Sequence, residues 1–171
     1  MAYKVGMISL GCAKNQVNSE QMLWLLKNAD VEITSSLENA EAIIINTCGF
    51  IESAKSEAID NILEMSELKK EGRLKKIIVA GCLSQRYGEE ILAELPEIDG
   101  LVGCGSFDEI ASVLEKVMNE EKVCVFGDIN APVSETDRLV TTGPGWAYIK
   151  IAEGCDNCCS YCVIPSLRGS F

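Results

Sequence analysis

The chain has 171 residues, of which 47% are hydrophobic and 24% are charged, as in globular proteins that bury a sizeable core. Fifteen Lys and Arg against twenty-six Asp and Glu give a formal net charge of −11. This charge disfavours a nucleic-acid surface and favours a basic partner, although ordinary solvated helix faces explain the acidity more simply than a docking patch. The absence of histidine excludes Ser-His-Asp catalysis and His-ligated zinc.

Cysteine must therefore carry any metal chemistry, and the chain has nine of them. The sequence shows neither a signal segment at Met1 nor an apolar run long enough to span a bilayer, so we expect a cytoplasmic protein with no membrane partner. In a reducing cytosol, a cysteine-rich chain more often binds metal or performs redox work than forms structural disulfides.

Apolar runs bounded by glycine alternate with amphipathic stretches of helical period along most of the chain. The expected strands cover residues 4–10, 41–46, 76–80, 101–102 and 123–126; the expected helices cover residues 18–28, 51–70 and 83–95, with a last one capped by Ser106. Asn18 or Ser19 is the expected cap of the first helix. The alternation predicts an α/β fold, a doubly wound parallel sheet with helices on both faces.

The composition changes after the last of these strands. Residues 128–145 are rich in Pro, Gly, Ser and Thr without periodicity, which is typical of a linker. A new strand is expected over 146–151, and a turn over 166–169. We divide the chain into a first domain over 2–120, the last strand and linker over 121–145, and the start of a second domain over 146–171.

The expected strand over 146–151 has no partner in this sequence. A single strand cannot satisfy its edges or bury both faces without neighbours. We therefore expect residues 146–171 to be loose or to pack opportunistically, with fast amide exchange after Gly145.

Three cysteines each follow a predicted strand: Cys12 in LGC, Cys48 in NTC and Cys82 in AGC. Ligands of open α/β sheets collect at the carboxyl ends of the strands, so these thiols are expected to converge. Three thiolates with one open position suit an iron–sulfur cluster better than structural zinc, which needs four protein ligands. Cys104 is either a fourth ligand or, as we favour, a packed thiol, and Cys124 is expected in the core.

A second group of cysteines lies in GCDNCCSYC over residues 154–162. Cys155, Cys159 and Cys162 form C-x3-C-x2-C, which lets one loop place three thiolates on a 4Fe–4S cube and leaves the fourth iron for a small chelating molecule. Cys158 offers an alternative register and is treated as a bystander. The alternatives are a zinc knuckle or ferredoxin-like loop, which needs a fourth thiolate, and a thioredoxin-type pair of Cys159 and Cys162.

The loop motif, with Tyr161 as the aromatic residue in C-x3-C-x-aromatic-C, resembles the signature of radical S-adenosylmethionine enzymes. The strand before it resembles the first strand of their β/α barrel. The earlier part resembles the cluster-binding domain of methylthiotransferases in SLGCAKN over 9–15, NTCGFI over 46–51 and AGC over 80–82; EGCDNCC over 153–159 and IPSLRG over 164–169 also fit. The chain is identified as an amino-terminal part of a radical S-adenosylmethionine methylthiotransferase, with a truncated barrel.

The resemblance implies S-adenosylmethionine and two 4Fe–4S clusters as cofactors. One cluster would be held by Cys12, Cys48 and Cys82, and the other by Cys155, Cys159 and Cys162. The second would cleave S-adenosylmethionine to a radical that removes hydrogen from the substrate, and the first would present a methylated sulfur. Tyr161 would lie near the adenine of the cofactor or serve in ordinary packing.

Four other residues match the family's motifs. Lys14 and Asn15 are expected either to line the pocket of the first cluster or to cap the following helix. Arg168 and Gly169 match the family's R-G pair, but no chemistry is assigned to them. No catalytic side chain is assigned.

Within the family, the patches around Cys12 and Cys48 resemble the branch that modifies the β-carbon of an aspartate in ribosomal protein S-twelve. The partners implied are that basic protein or the small ribosomal subunit, and a flavodoxin or ferredoxin as reductant. The alternatives are methylthiolation of a tRNA adenosine, a non-catalytic iron–sulfur electron-transfer protein, and a flavodoxin-like domain, which would lack the usual phosphate-binding glycine motifs. The fragment alone is expected to be inactive.

Overall fold

A six-stranded parallel sheet forms the centre of this computed structural model, which describes residues 3–132 and 136–171. The strands are β1 (Lys4–Ser9), β2 (Glu32–Ile33), β3 (Ala42–Thr47), β4 (Lys76–Gly81), β5 (Gly100–Val102) and β6 (Val123–Val125). Their order in the sheet is β2-β1-β3-β4-β5-β6, and all neighbouring pairs are parallel. The strand order reverses direction between β1 and β3, which makes this the topological switch point where ligands of such sheets bind.

Helices cover both faces of the sheet in the described part of the chain. They are α1 (Ala13–Asn28), α2 (Glu52–Lys70), α3 (Cys82–Tyr87), α4 (Glu90–Glu94), α5 (Ile110–Met118) and α6 (Ile164–Arg168). Strand residues alternate between faces, so Ile44 packs with α1 and α5, whereas Ile43 and Ile45 pack with α2. The prediction of an α/β fold with a parallel sheet is confirmed.

The expected strand and helix boundaries within the sheet domain hold closely where the sequence signal is a long apolar run. All six residues of β3 and of β4 are buried, as expected for parallel strands covered on both faces. The short strand β2 and a 3-10 turn over Leu37–Asn39 were not expected, because so few residues carry no periodic signal.

The predicted start of α1 is wrong. The helix begins at Ala13, and Asn18 and Ser19 are buried inside it. The Ser19 hydroxyl donates to Ser9 Oγ at 2.9 Å rather than to a helix N-terminus. A serine or asparagine before an apolar run can cap a helix, but Ser19 instead makes a side-chain contact with β1.

Two further helix predictions also differ from the structure. The single helix expected over 83–95 is broken at Gly88, whose φ of 49° lies in the left-handed region that favours glycine. Ser106 does precede a 3-10 turn that leads into α5, but it makes no side-chain cap; its hydroxyl accepts a hydrogen bond from the Gly127 N–H.

Residues 146–171 contain no strand, so the strand expected over 146–151 is wrong. No other strand lies beside it to supply ladder hydrogen bonds, and Ile149 and Ile151 are more than 80% exposed. The turn expected over 166–169 is instead the end of α6, where Leu167, Arg168 and Gly169 are buried. This part of the chain therefore packs against the sheet domain through α6, without the barrel-type element expected for it.

Candidate metal centre

Three cysteines lie at the carboxyl ends of three adjacent strands. Cys12 stands between β1 and α1, Cys48 directly follows β3, and Cys82 is the first residue of α3 after β4. The site therefore occupies the switch-point edge of the sheet. Cys48 and Cys82 are buried, whereas Cys12 is exposed, so the site reaches solvent at Cys12.

The thiols are close enough to influence one another electrostatically. Burial raises the pKa of the Cys48 thiol, and negative charge on Cys82 and Cys12 raises it further. A cation bound among such thiols stabilises their thiolate forms. The three cysteines lie at one edge of the sheet, as expected, while their role as ligands remains a proposal.

Glycines allow the cysteine turns to approach each other. Gly11 has a φ of 88°, and a Cβ there would lie 2.5 Å from the Cβ of Cys48. Gly81 has a φ of 92°, and a Cβ there would lie 2.6 Å from the Thr47 carbonyl oxygen. Any side chain at these positions would push the turns apart.

Asn15 joins the turns that carry Cys12 and Cys48. Its Nδ2 donates to the carbonyl oxygens of Leu10 and Thr47, both at 2.9 Å. Its backbone carbonyl accepts from Asn46 Nδ2 at 2.8 Å. Asn15 lies inside α1 and is fully buried, so it is not a helix cap; its Oδ1 lies 4.0 Å from the Cys82 sulfur, which places it beside the pocket.

Cys104 lies next to Cys82 and is half-buried. Its thiol donates to the Cys82 sulfur, with the two sulfurs 3.8 Å apart. This hydrogen bond is the largest cause that lowers the pKa of Cys82, and it raises the pKa of Cys104. Cys104 therefore packs directly against Cys82, one of the three proposed ligands.

Arg168 places a cation at the same edge of the sheet. Only 6% of this residue is exposed; its Nη1 donates to Glu153 Oε2 at 2.7 Å and its Nη2 donates to Asn15 Oδ1. Although burial lowers the pKa of Arg168, negative charge on Cys82 and Cys104 raises it, with a net rise. The guanidinium thus lies where it stabilises thiolates.

Glu153 balances this cation. Burial would raise the pKa of its carboxyl group, but Arg168 and Lys150 outweigh burial and hold the pKa below its ordinary value. Lys150 forms an ion pair with Glu153 Oε1 and also donates to Asn18 Oδ1 at 3.0 Å. The network therefore fixes the segment around Glu153 to α1.

The positions of Arg168 and Glu153 were not predicted from the sequence. In the sequence, Arg168 is marked only by the R-G pair. Glu153 is marked only by its position as an acidic residue directly before the cysteine loop. Their partners in α1, Lys14 and Asn15, lie more than a hundred residues away in the chain, so local pattern alone does not reveal these contacts.

The cysteine loop lies on the surface. Cys158 and Cys159 are exposed, while Cys155 and Cys162 are half-buried. The Cys155 N–H donates to the Gly169 carbonyl at 3.1 Å, which ties the start of the loop to the end of α6. Tyr161 is 86% exposed, so its ring takes no part in a packed core here.

Within residues 3–132 and 136–171, no group of three or more His, Cys, Asp or Glu side chains is arranged around a single point that one metal ion could occupy. In an iron–sulfur cube each thiolate binds a different iron. Cys12, Cys48 and Cys82 supply soft sulfur donors of the kind that suits iron–sulfur chemistry, in turns that glycines allow to pack closely.

Among the described residues, none of the helices is sufficiently long and apolar to cross a membrane.

Comparison with known proteins gives one family match and many similar relatives. The sequence model of the uncharacterized protein family UPF0004 matches residues 4–103, the range that holds β1 to β5 and all three strand-end cysteines. The match therefore covers more than half of the chain.

Three of the similar relatives share one name, ribosomal protein uS12 methylthiotransferase RimO. The protein of Syntrophomonas wolfei is 52% identical over 166 residues, which is 96% of this chain and 38% of that protein. The protein of Geobacter sulfurreducens is 50% identical over 98% of this chain and 38% of its own length, and that of Clostridioides difficile is 47% identical with the same coverage. The chain thus spans about two fifths of the length of these curated relatives.

Proposed function

The chain belongs to the protein family UPF0004, and from this premise we propose that it is part of a methylthiotransferase that acts on ribosomal protein uS12. The observation that carries the proposal is the position of Cys12, Cys48 and Cys82 after three adjacent parallel strands, at the edge of the sheet where Arg168 bonds to Asn15. The relatives that carry the methylthiotransferase name, about 50% identical to nearly the whole chain, support the substrate.

The proposed cofactors are two 4Fe–4S clusters and S-adenosylmethionine. Cys12, Cys48 and Cys82 would hold one cluster, and Cys155, Cys159 and Cys162 the other, with Tyr161 near the S-adenosylmethionine. When bound, these groups would supply the radical and sulfur chemistry that no side chain of this chain can perform. The residues fit the first cluster, because buried sulfur donors and a nearby cation favour an anionic iron–sulfur group.

The chain's own residues would position and enclose this chemistry. Asn15 holds two of the cysteine turns together, and Arg168 with Glu153 anchors the segment that carries the second cysteine group against the first. The net charge of −11 complements a basic ribosomal protein better than it complements tRNA. A flavodoxin or ferredoxin is the proposed reductant.

The test of the metal site is anaerobic reconstitution of the chain with iron and sulfide. A background in which Cys155, Cys159 and Cys162 are changed to Ala isolates the strand-end site, which should bind about four iron and four sulfide. Changing Cys12, Cys48 and Cys82 to Ala in that background should abolish iron binding, whereas the control Cys124→Ala, in β6, should not. Unchanged iron after loss of the strand-end cysteines would overturn the assignment.

The test of the substrate needs the complete enzyme from which this chain comes. Incubated anaerobically with S-adenosylmethionine and a reductant, it should add a methylthio group to an aspartate of ribosomal protein uS12, detected by mass spectrometry of the substrate. Transfer to tRNA instead would reject the substrate, and redox change without cleavage of S-adenosylmethionine would indicate an electron carrier.

A further inference from the structure

We propose that Cys82 and Cys104 are a modification site: they form a reversible disulfide in the metal-free chain, and this bond competes with metal at the strand-end site. The disulfide itself rests on the contacts between the two residues. Its consequence for metal loading rests on the proposed function.

The backbone brings these two cysteines to the same edge of the sheet. Ala80 of β4 pairs with Val102 of β5, and Cys82 and Cys104 each follow two residues later, in the segments just beyond the two strands. Neighbouring strands lie about 4.8 Å apart where they pair, so the ends of β4 and β5 deliver these two segments side by side.

The side chains already face each other. The two sulfurs are 3.8 Å apart, and the Cys104 thiol donates to the Cys82 sulfur. Bond formation needs an approach of about 2 Å, to the disulfide length of roughly 2.05 Å, which side-chain rotation supplies. The turn at Gly49, directly after Cys48, packs on the Cys82 backbone, where an added Cβ would lie 2.9 Å from the Cys82 carbonyl oxygen.

Hydrogen bonds hold the backbone at Cys104 and the end of β5 close to helix α3, which begins at Cys82. Gln85 Oε1, in α3, accepts from the Cys104 N–H at 3.0 Å. Ser84 Oγ, in the same helix, donates to the Val102 carbonyl at 2.7 Å. The start of α3 is thus fastened to the end of β5, so the two thiols stay paired when no metal is bound.

Access and charge also favour this pair. Cys104 lines a cleft together with Asp128, Glu153 and Arg168, whereas only 6% of Cys82 is exposed. A small oxidant that enters this cleft therefore meets the Cys104 sulfur before it meets the buried Cys82 sulfur. The guanidinium of Arg168, which lines the same cleft as Cys104, stabilises the negative charge that develops on sulfur during exchange.

The oxidant is a small-molecule disulfide. One of the two paired protein sulfurs attacks a sulfur atom of the oxidant as its thiolate, forms a mixed disulfide and releases one small thiol, which takes the proton that the protein thiol gave up. The other protein sulfur then attacks the first and releases the second small thiol, which takes the second proton. In sum, two protein thiols are oxidised by two electrons and one small disulfide is reduced to two thiols. A reducing thiol pool reverses the reaction.

The bond removes Cys82 from the thiolates available to iron. A metal-free chain that is oxidised in this way would load no cluster until it is reduced, and a loaded cluster would in turn hold Cys82 away from Cys104. Metal and disulfide thus exclude each other at one sulfur atom.

The experiment uses the full 171-residue chain with Cys155, Cys159 and Cys162 changed to Ala, stripped of metal and treated with oxidised glutathione. We expect a mass decrease of about 2 Da, a peptide that links Cys82 to Cys104, and loss of most iron loading that dithiothreitol restores. Cys104→Ser should abolish the linked peptide and keep iron loading after the same treatment. The matched control Cys124→Ser should behave like the parent.

Each other outcome overturns the proposal. A linked peptide that joins Cys82 to Cys12 or Cys48, stable glutathione adducts without a link, or Cys104→Ser that still loses iron loading would each do so. Peptide mapping of the parent decides the matter even if a variant fails to fold. If the reduced parent binds no iron but still forms the Cys82–Cys104 link, the proposed metal site fails and the disulfide stands.

Discussion

Asn15 shows what can and cannot be predicted for a single residue. A polar residue shortly after a strand predicts either a pocket lining or a helix cap, and the sequence does not decide between them. The structure buries Asn15 in α1, where it bonds to the Leu10 and Thr47 carbonyls and to Arg168. Thr47 and Arg168 come from distant parts of the chain, and only the assembled fold brings them to Asn15.

The cysteines were more predictable than their neighbours. Cys12, Cys48 and Cys82 follow apolar runs whose lengths and glycine boundaries mark parallel strands, and parallel strands end at one edge. The close contact of Cys104 with Cys82 follows from the register between β4 and β5, which residue patterns do not specify.

The buried ion pair of Arg168 and Glu153 predicts a pH dependence. The folded-state pKa of Glu153 is lowered, so its contribution to stability is present above the ordinary pKa of 4.5 and is lost as pH falls through the lower folded value. Glu153→Gln should reduce the free energy of unfolding at pH 7 by about 3 kcal/mol. The free energy of unfolding of this variant should also fall less steeply than that of the parent as the pH is lowered.

Urea denaturation between pH 7 and pH 3 measures this effect. The control is Glu67→Gln, because Glu67 pairs with Lys70 on the exposed face of α2 and such pairs contribute less than about 1 kcal/mol. Parallel pH profiles for the parent and Glu153→Gln would show that the Glu153 carboxylate does not stabilise the fold.

At the scale of elements, the strands that are buried on both faces were predicted correctly. The strand that would need an adjacent strand as its partner was not. The runs AIIINT and KIIVAG are apolar on both faces, so β3 and β4 follow from composition. The run WAYIKI over residues 146–151 has a similar composition, yet it forms no strand. A strand needs a partner for its backbone groups, and sequence composition does not supply one.

The turn from β4 into α3 depends on glycine. Gly81 has a φ of 92° and a ψ of −153°, a backbone region open essentially to glycine alone, and an added Cβ would lie 2.4 Å from Asn46 Oδ1. Gly81→Ala should therefore lower the free energy of unfolding by at least about 2 kcal/mol and displace Cys82, with a loss of iron binding at the strand-end site.

Chemical denaturation and iron analysis of the same preparations measure both effects. Gly143→Ala is the matched control, since an added Cβ there would meet nothing within 4 Å. If Gly81→Ala unfolds like the parent and binds the same iron, the turn has no such constraint.

At the scale of the whole molecule, the segment after the sheet domain is attached by polar contacts with α1. The Glu20 side chain, 1% exposed, accepts from the Thr141 N–H at 2.8 Å and pairs with Arg138 at 3.4 Å. Lys14 Nζ donates to the Glu153 carbonyl at 2.5 Å. Composition indicated a linker here, but it could not indicate that a buried acidic residue of the first helix would hold it.

These attachments predict an uneven pattern of hydrogen exchange. Amides of β3 and β4 lie in a ladder with partners on both sides and should exchange only on global unfolding. Amides of residues 146–153 lack any ladder and should exchange fastest. The Cys155, Leu167 and Gly169 amides have backbone acceptors and should fall between these limits, so exchange after Gly145 is fast overall but interrupted at α6.

Exchange measured by mass spectrometry on the parent and on Arg168→Met separates attachment from local helix structure. Arg168 joins α6 to Asn15 and Glu153, so its loss should bring residues 164–169 to the rate of residues 146–153 while β3 and β4 stay protected. The surface variant Arg73→Met, which breaks only exposed pairs with Glu38 and Glu71, should change neither region. Protection of residues 146–153 as strong as that of β4 would mean that this segment has found a strand partner, and the polar attachment through Arg168 would then not be what holds it.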